Sequence, residues 1–298
     1  MNFGDQERRI CELIRIGSTV SYNRTSYTIL KVGKPTCPRG EPKTDIYVLA
    51  RALNCGEREF KISFKKPNAH FLENKTSAER AQQIFGSTWH DLVINAAHDL
   101  IYQFKETPLI YKRGFGRTQP GSITLGWKFE LLNRPSGRLS SRLPLSPAQV
   151  LDVYAGTNLS REKMDATVDG ECVEKSGIAN FMLLVNAESQ DCAQSIFKQL
   201  VPIEEFCNEN PDIYCAFKAH NYRSLESRDD GNRPLGAYVN WIAKNGKLLP
   251  VISFDNPLLT KSNEVKEKLL NALDSLNVSS TAELTEAMLD GLEHIVIS

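Results

Sequence analysis

Four polar residues between positions 45 and 79 have side chains that could act on a phosphodiester. Asp45 lies near the start of one apolar run, Ser63 and Lys65 end the next run, and Glu79 opens the segment that follows. Carboxylates hold hard cations through oxygen, and a lysine can orient an attacking water and offset charge that develops on a phosphate. Brought together, these residue types would be suited to metal-dependent cleavage of a phosphodiester.

The elements that must position these residues are two predicted strands. The runs TDIYVLA and REFKISFKK flank the turn NCGE, and the second run alternates apolar and polar residues, so an antiparallel hairpin is expected. A turn centred near Cys55 places Asp45 opposite about residue 65. Ser63 and Lys65 then become cross-strand neighbours of Asp45.

The order of these residues resembles the PD-(D/E)xK nuclease superfamily. That superfamily has an Asp after a Pro-containing turn and then (D/E)-x-K on the next strand, and PKTD (42–45) corresponds to the first element with two residues inserted. One branch of type II restriction endonucleases replaces the second acid with Ser and takes a Glu from the next helix, in the pattern S-x-K-x(12–13)-E. Here thirteen residues separate Lys65 from Glu79.

The resemblance covers about 45 of the 298 residues. It implies a role for each of the four residues introduced first. Asp45 and Glu79 would bind Mg²⁺, Lys65 would position the water, and Ser63 would fill the vacated acid position as a hydrogen-bonding partner. It also implies double-stranded DNA as substrate and a homodimer that cuts a short palindrome. Members that cut CCGG-centred sites carry R-x-D-R after the lysine. This chain reads KPNAHFLENK there, so their base recognition does not transfer.

Ordinary structural roles are open for the same residues. Thr76 to Glu79 also spells a capping box, Asp45 could be a turn acid, and Lys65 could belong to a solvated strand face. Glu73 is a second candidate metal ligand, and Glu12 could supply a further acid from the first predicted helix.

Charge divides the sequence in two although the net charge is zero. Residues 1–143 carry 23 Lys+Arg against 13 Asp+Glu, and residues 144–298 carry 13 against 23. The contrast suggests that the first half meets a polyanion. The residues expected to contact DNA are Lys43, Lys66, Asn68, Asn74, Lys75, Arg80, Arg113 and Arg117.

A local basic cluster interrupts the acidic half at residues 218–233, FKAHNYRSLESRDDGNRP in its context. Two interpretations stay open for it, a recognition loop over DNA and an intramolecular salt-bridge network. The five histidines show no spacing typical of a histidine-based nuclease.

The predicted fold is α/β (α+β), with a central mixed β-sheet flanked by helices around a restriction-endonuclease-like core. Residues 1–143 are expected to form the basic catalytic part, and residues 144–298 to complete the sheet and add recognition or dimer surface. Residues 133–147 read as a linker or mobile basic loop, and TAELTEAMLDGL near the end reads as a helix.

The expected location is the cytoplasm. The chain lacks an apolar run of the roughly 18 residues that cross a bilayer, and its seven scattered cysteines are typical of reduced thiols. The predicted function is a magnesium-dependent endonuclease of restriction type. The alternatives are an inactive DNA-binding protein of nuclease fold, a phage or RNA-processing nuclease with the same core, and a structural protein.

Overall fold

The computed structural model describes residues 3–298. The helices are α1 (Phe3–Leu13), α2 (Ala78–Phe85), α3 (Trp89–His98), α4 (Ile101–Lys105), α5 (Pro147–Ala155), α6 (Arg161–Met164), α7 (Ala193–Phe197), α8 (Ile203–Glu209) and α9 (Ser262–Ser275). The strands are β1 (Thr19–Tyr22), β2 (Thr25–Gly33), β3 (Ile46–Ala52), β4 (Gly56–Lys65), β5 (Phe71–Glu73), β6 (Ile110–Tyr111), β7 (Ser122–Leu132), β8 (Ser140–Leu143), β9 (Thr167–Val168), β10 (Glu171–Cys172), β11 (Phe181–Leu184), β12 (Val201–Pro202), β13 (Ile213–Arg223), β14 (Ala237–Lys244), β15 (Lys247–Ser253) and β16 (Val296–Ile297).

The chain forms two compact units, and each is built from two separate stretches of sequence. The first unit contains the residues up to 70 and residues 145–211, and the second contains residues 71–144 and 212–298. The first unit carries 17 Lys+Arg against 18 Asp+Glu, and the second carries 19 against 18. The charge contrast between the halves of the sequence is therefore not a contrast between the units.

The first unit is organised around a mixed six-stranded sheet. Its strand order is β1-β2-β3-β4-β11-β12, and every neighbouring pair is antiparallel except the parallel pair β4 and β11. The parallel pairing sets Ser63 beside Met182 and Lys65 beside Leu184. The end of β4 that carries Ser63 and Lys65 is therefore held by β11, whereas the pairing of β4 with β3 stops at Ile62.

The predicted alternation along β4 is confirmed. Phe60, Ile62 and Phe64 are all fully buried in one apolar cluster, which also contains Ile10 of α1 and Ile14, the residue after α1. Burying a side chain of this size contributes roughly 1.5–3 kcal/mol. The cluster therefore fixes which face of β4 points inward, and with it the face that carries Ser63 and Lys65.

The second unit has its own sheet, centred on β7. The strand order is β15-β14-β7-β13-β8, with β5 and β6 also paired to β7 and β16 paired to β6. Gly126 lies where β7 and β14 approach each other closely, and a Cβ at this position would stand 2.5 Å from the carbonyl oxygen of Ala237. A side chain at this position would push β14 away from β7, which explains the glycine in a strand interior.

Two predicted segments differ from the structure. Residues 133–147 contain β8, because the Ser140 hydroxyl donates to the Cys215 carbonyl and Leu143 is buried, so this stretch is not a free linker. The predicted C-terminal helix forms only a short 3₁₀ turn over Ala287–Leu289. Its backbone bonds elsewhere instead: the Leu284 carbonyl accepts from the Lys112 ammonium, and the Thr281 amide donates to Ser224.

The fold class is mixed α/β, with mixed sheets and flanking helices, as the sequence predicts. In the part of the chain that the structure describes, no helix is both long enough and apolar enough to cross a membrane.

Candidate active site

Asp45 stands immediately before β3 and is fixed by two hydrogen bonds to β4. Its backbone amide donates to the Ile62 carbonyl over 2.9 Å, and its carboxylate oxygen Oδ2 accepts from the Phe64 amide over 2.7 Å. A carboxylate that accepts a backbone N–H is oriented as well as anchored.

The hairpin register differs from the predicted one by two residues. Ile46 pairs with Ile62, so Asp45 lies opposite Ser63 rather than opposite residue 65. The turn is centred one residue earlier in the sequence than expected. Moving the turn centre by one residue changes the residue opposite Asp45 by two positions. Because the side-chain period of a strand is also two, Lys65 keeps the same face as Ser63 and becomes the diagonal neighbour of Asp45.

The electrostatics around Asp45 are unusual for an aspartate. Burial raises the pKa of Asp45 from 3.8 to about 6, although the Lys65 ammonium and the Phe64 amide both lower it. The nearby Glu7 carboxylate raises the pKa further, and Lys34 lowers it. A perturbed acid with a lysine next to it is typical of functional sites.

The segment before Asp45 is held by a close backbone crossing. The amides of Lys43 and Thr44 both donate to the Gly177 carbonyl, over 3.0 and 3.2 Å. A Cβ at Gly177 would lie 1.7 Å from the carbonyl oxygen of Lys163, so only glycine fits there. Gly177 therefore anchors the backbone that delivers Asp45 to the end of β4.

Ser63 is buried, with an exposed fraction of 2%. Its position opposite Asp45 and beside Met182 places it in the middle of the sheet. A hydroxyl in this position can take part in hydrogen bonding near Asp45 without adding charge.

Glu7 is a site residue that the sequence reasoning missed. Its carboxylate is 6% exposed, forms an ion pair with Lys34 over 2.5 Å and acts electrostatically on Asp45. The signal in the sequence is helical spacing, because Glu7 shares the face of α1 that buries Ile10 and Ile14. The expected acid, Glu12, is exposed instead and lines a cavity of about 340 Å³ together with Glu7 and Lys34.

Glu79 belongs to the second unit and lies in the first turn of α2. The alternative capping-box role is wrong: the N-cap is Ser77, which accepts from the Arg80 amide, and the Thr76 amide donates to the Phe129 carbonyl. Glu79 is exposed, and its carboxylate accepts from Gln83 in the next turn over 3.5 Å. Its carboxylate is thus not used to cap the helix.

The other candidate acid, Glu73, forms an ion pair with Arg80. The distance between Arg80 Nε and Glu73 Oε1 is 2.8 Å, and Arg80 is 6% exposed. This partnership ties β5 to α2 and uses the Arg80 guanidinium inside the second unit. The expected contact of Arg80 with a DNA phosphate stays a prediction. Because Arg80 is buried, little of its guanidinium group is exposed to solvent.

The remaining expected DNA contacts divide between the units. The first unit carries the half-buried Lys43 and Lys66 and the exposed Asn68. The second unit carries exposed residues only: Asn74, Lys75, Arg113 and Arg117.

The basic cluster at residues 218–233 contains ion pairs, as one of its two interpretations expects. Arg223 contacts Glu226 over 3.4 Å and Asp230 over 3.1 Å. Lys218 donates to the backbone and hydroxyl of Ser136. These contacts are typical of a salt-bridge network that orders the loop.

Over residues 3–298, no three His, Cys, Asp or Glu side chains converge as a metal-binding group. The first unit brings together Asp45, Ser63, Lys65 and Glu7, and Glu79 lies in the second unit. No protein-family model, curated protein or solved structure matches this chain.

Proposed function

We propose that this chain is a magnesium-dependent endonuclease that hydrolyses double-stranded DNA at a specific site. The proposal is supported chiefly by the placement of Asp45 and Lys65 as diagonal neighbours at the end of the β3–β4 hairpin. The carboxylate is fixed by the Phe64 amide, and the charge of Lys65 acts on it directly. Such a pair supplies an oxygen ligand and an ammonium group within one small site.

The donor set of the first unit fits a hard cation. Asp45 contributes a carboxylate oriented by the Phe64 amide, and Glu7 adds a second carboxylate whose charge acts on Asp45. The proposal that Glu79 also binds the metal rests only on its spacing from Lys65 in the sequence. When bound, Mg²⁺ would lower the pKa of a water ligand and stabilise charge on the scissile phosphate.

The residues of the chain have separate tasks in this mechanism. The Phe64 amide holds Asp45 in one orientation, and Lys65 orients the attacking water and offsets charge on the phosphoryl oxygens. Ser63 hydrogen-bonds near the position where related nucleases have an acid. Because the pKa of Asp45 is raised to about 6, its carboxylate is ionised above that pH, and cleavage should decline as the pH falls through 6.

The resemblance also suggests a restriction system in the cytoplasm, with a homodimer on a short palindrome. Lys43, Lys66, Arg113 and Arg117 would then contact phosphates, while Asn68, Asn74 and Lys75 are suited to contacts in or near the grooves.

The test is incubation of supercoiled plasmid and phage DNA with the protein in Mg²⁺ or in EDTA, beside two lysine variants. Lys65→Ala should reduce magnesium-dependent cleavage by about 100-fold or more, which is the usual contribution of a positioned catalytic group. Lys61→Ala is the matched control, because Lys61 lies on the same strand face and pairs with Glu59 instead. Its cleavage should match that of the wild type.

Each other outcome assigns a different function. DNA that is bound but not cut would favour a binding protein of nuclease fold. Preferential cleavage of RNA would favour a processing nuclease with the same core. An equal loss in both lysine variants would refute the assignment of Lys65.

A further inference from the structure

A short hairpin in the second unit carries an exposed aromatic residue, Phe115, with an arginine two residues before it in the sequence and another two residues after it. Phe115 and Thr118 exchange backbone hydrogen bonds of 3.0 and 2.9 Å, so the turn between them contains only Gly116 and Arg117. Gly116 has a φ of 58°, as a two-residue hairpin turn requires at its first central position. The tip therefore has a defined conformation.

The base of the hairpin is also fixed. The amides of Lys112 and Arg113 donate to the Ile297 carbonyl over 2.8 and 3.4 Å, and the Lys112 ammonium donates to the Leu284 carbonyl. On the other side, the Gly121 amide donates to the Tyr111 carbonyl over 2.8 Å. A hairpin anchored in this way has a backbone with little conformational entropy left to lose on binding.

The side chains at the tip face solvent. Phe115 is 57% exposed, and Arg113 and Arg117 on either side of it are exposed as well. A single exposed apolar residue is ordinary on a protein surface. An exposed aromatic ring on a hydrogen-bonded turn that also carries two exposed arginines instead matches a ligand with a flat face and several negative charges.

The positive field extends beyond the hairpin. The charges of Arg117 and Lys128 both act on Lys218, whose pKa is lowered chiefly by burial and also by these two cations. The carboxylate of Glu130 acts on Lys218 more strongly than either cation and in the opposite direction, and it forms an ion pair with Lys128 over 3.5 Å. The charge that favours a polyanion is therefore that of the exposed Arg113 and Arg117 at the tip, with Lys218 near enough for the charge of Arg117 to act on it.

We propose that Phe115 stacks on a nucleobase of bound DNA while Arg113 and Arg117 hold the neighbouring phosphates. Every base has an aromatic face, and a nucleotide strand carries a phosphate on each side of it, which is the pattern the tip complements. This inference rests on the proposed action on DNA, and it assigns to Phe115 a role separate from cleavage.

The experiment measures binding of a fluorescein-labelled mixed-sequence duplex by anisotropy in EDTA, where magnesium-dependent cleavage does not occur. Phe115→Ala should weaken binding roughly tenfold, because stacking on one base contributes about 1–3 kcal/mol. Phe115→Tyr should retain wild-type affinity and Phe115→Leu should not, since only the aromatic replacement stacks. Tyr102→Ala is the control: Tyr102 is 75% exposed on α4 in the same unit and has no flanking arginines.

The salt dependence separates stacking from charge. Phe115→Ala should lower the affinity without changing the slope of log K against log salt, whereas Arg117→Ala should reduce the slope by about 0.9. Melting temperatures of all variants should remain close to that of the wild type, because the substituted side chains are exposed.

Two results would overturn the inference in distinguishable ways. If the wild type binds duplex and Phe115→Ala or Phe115→Leu binds equally well, the stacking role fails and the proposed nuclease function stands. If the wild type shows no binding and no magnesium-dependent cleavage, both proposals fail.

Discussion

Asp45→Asn should stabilise the protein at neutral pH while it removes the carboxylate. Asparagine has nearly the same shape, and its carbonyl oxygen can still accept the hydrogen bond from the Phe64 amide. What changes is the charge, which in the wild type is partly removed from water and lies close to the Glu7 carboxylate.

The magnitude follows from the pKa of Asp45, which is about 6 in the folded protein against an ordinary value of 3.8. At about 1.4 kcal/mol for each tenfold change in proton affinity, the ionised carboxylate destabilises the folded state by about 3 kcal/mol above pH 7. The folded state binds its proton more tightly than the unfolded chain does. The wild type therefore loses this stability as the pH rises from about 4 to 6, and the Asn variant does not.

The assay is urea unfolding of both proteins at several pH values from 4 to 8. The variant should exceed the wild type in free energy of unfolding by about 3 kcal/mol at pH 8 and by close to zero at pH 4. A variant that is less stable at pH 8, or a difference that does not depend on pH, would refute the account of Asp45 as a strained, functional acid.

Three further substitutions test the surroundings of Asp45. Gly177→Ala should lower the free energy of unfolding by about 1–3 kcal/mol and reduce cleavage, because the new methyl meets the Lys163 carbonyl; unchanged urea unfolding would contradict this. Glu79→Gln should leave stability within about 0.5 kcal/mol, since Glu79 is exposed, yet abolish magnesium-dependent cleavage; full plasmid cleavage would exclude Glu79 as a ligand. Glu7→Gln should lower the pKa of Asp45, because the Glu7 carboxylate raises it, and an unchanged carbon-13 NMR titration of Asp45 would refute the coupling.

The hairpin that carries the candidate site could be predicted because its signals are local. Alternation of Phe60, Ile62 and Phe64 with polar residues identifies a strand with one buried face, and these three side chains are fully buried. The register could not be fixed in the same way. The register depends on where the turn is centred. A shift of the turn centre by one residue changes the residue opposite Asp45 from Lys65 to Ser63.

Features that depend on contacts between distant parts of the chain could not be predicted from the sequence. The parallel partner of β4 is β11, and the glycine that anchors Lys43 and Thr44 is Gly177, both far along the sequence. The strand β8 was not predicted because its Ser- and Arg-rich sequence is typical of a loop. Its pairing with β13 is what orders it. Local propensity is a weak guide where tertiary pairing decides.

Glu7 was missed for a different reason. Sequence patterns single out acids on the polar face of a helix, and Glu7 lies on the apolar face of α1 next to the core residues Ile10 and Ile14. Its burial and ion pair with Lys34 are visible only once the sheet is in place. A carboxylate at an apolar helical position is therefore the sequence feature that indicates such a site.

The central claim is that the ionised Asp45 carboxylate is required for magnesium-dependent cleavage of DNA. Its most direct test is single-turnover cleavage of plasmid at pH 8 by the folded Asp45→Asn protein, beside the wild type. The wild type should cleave the plasmid when Mg²⁺ is present and the variant should not, even though the variant is the more stable protein. Cleavage by Asp45→Asn at the wild-type rate would contradict it.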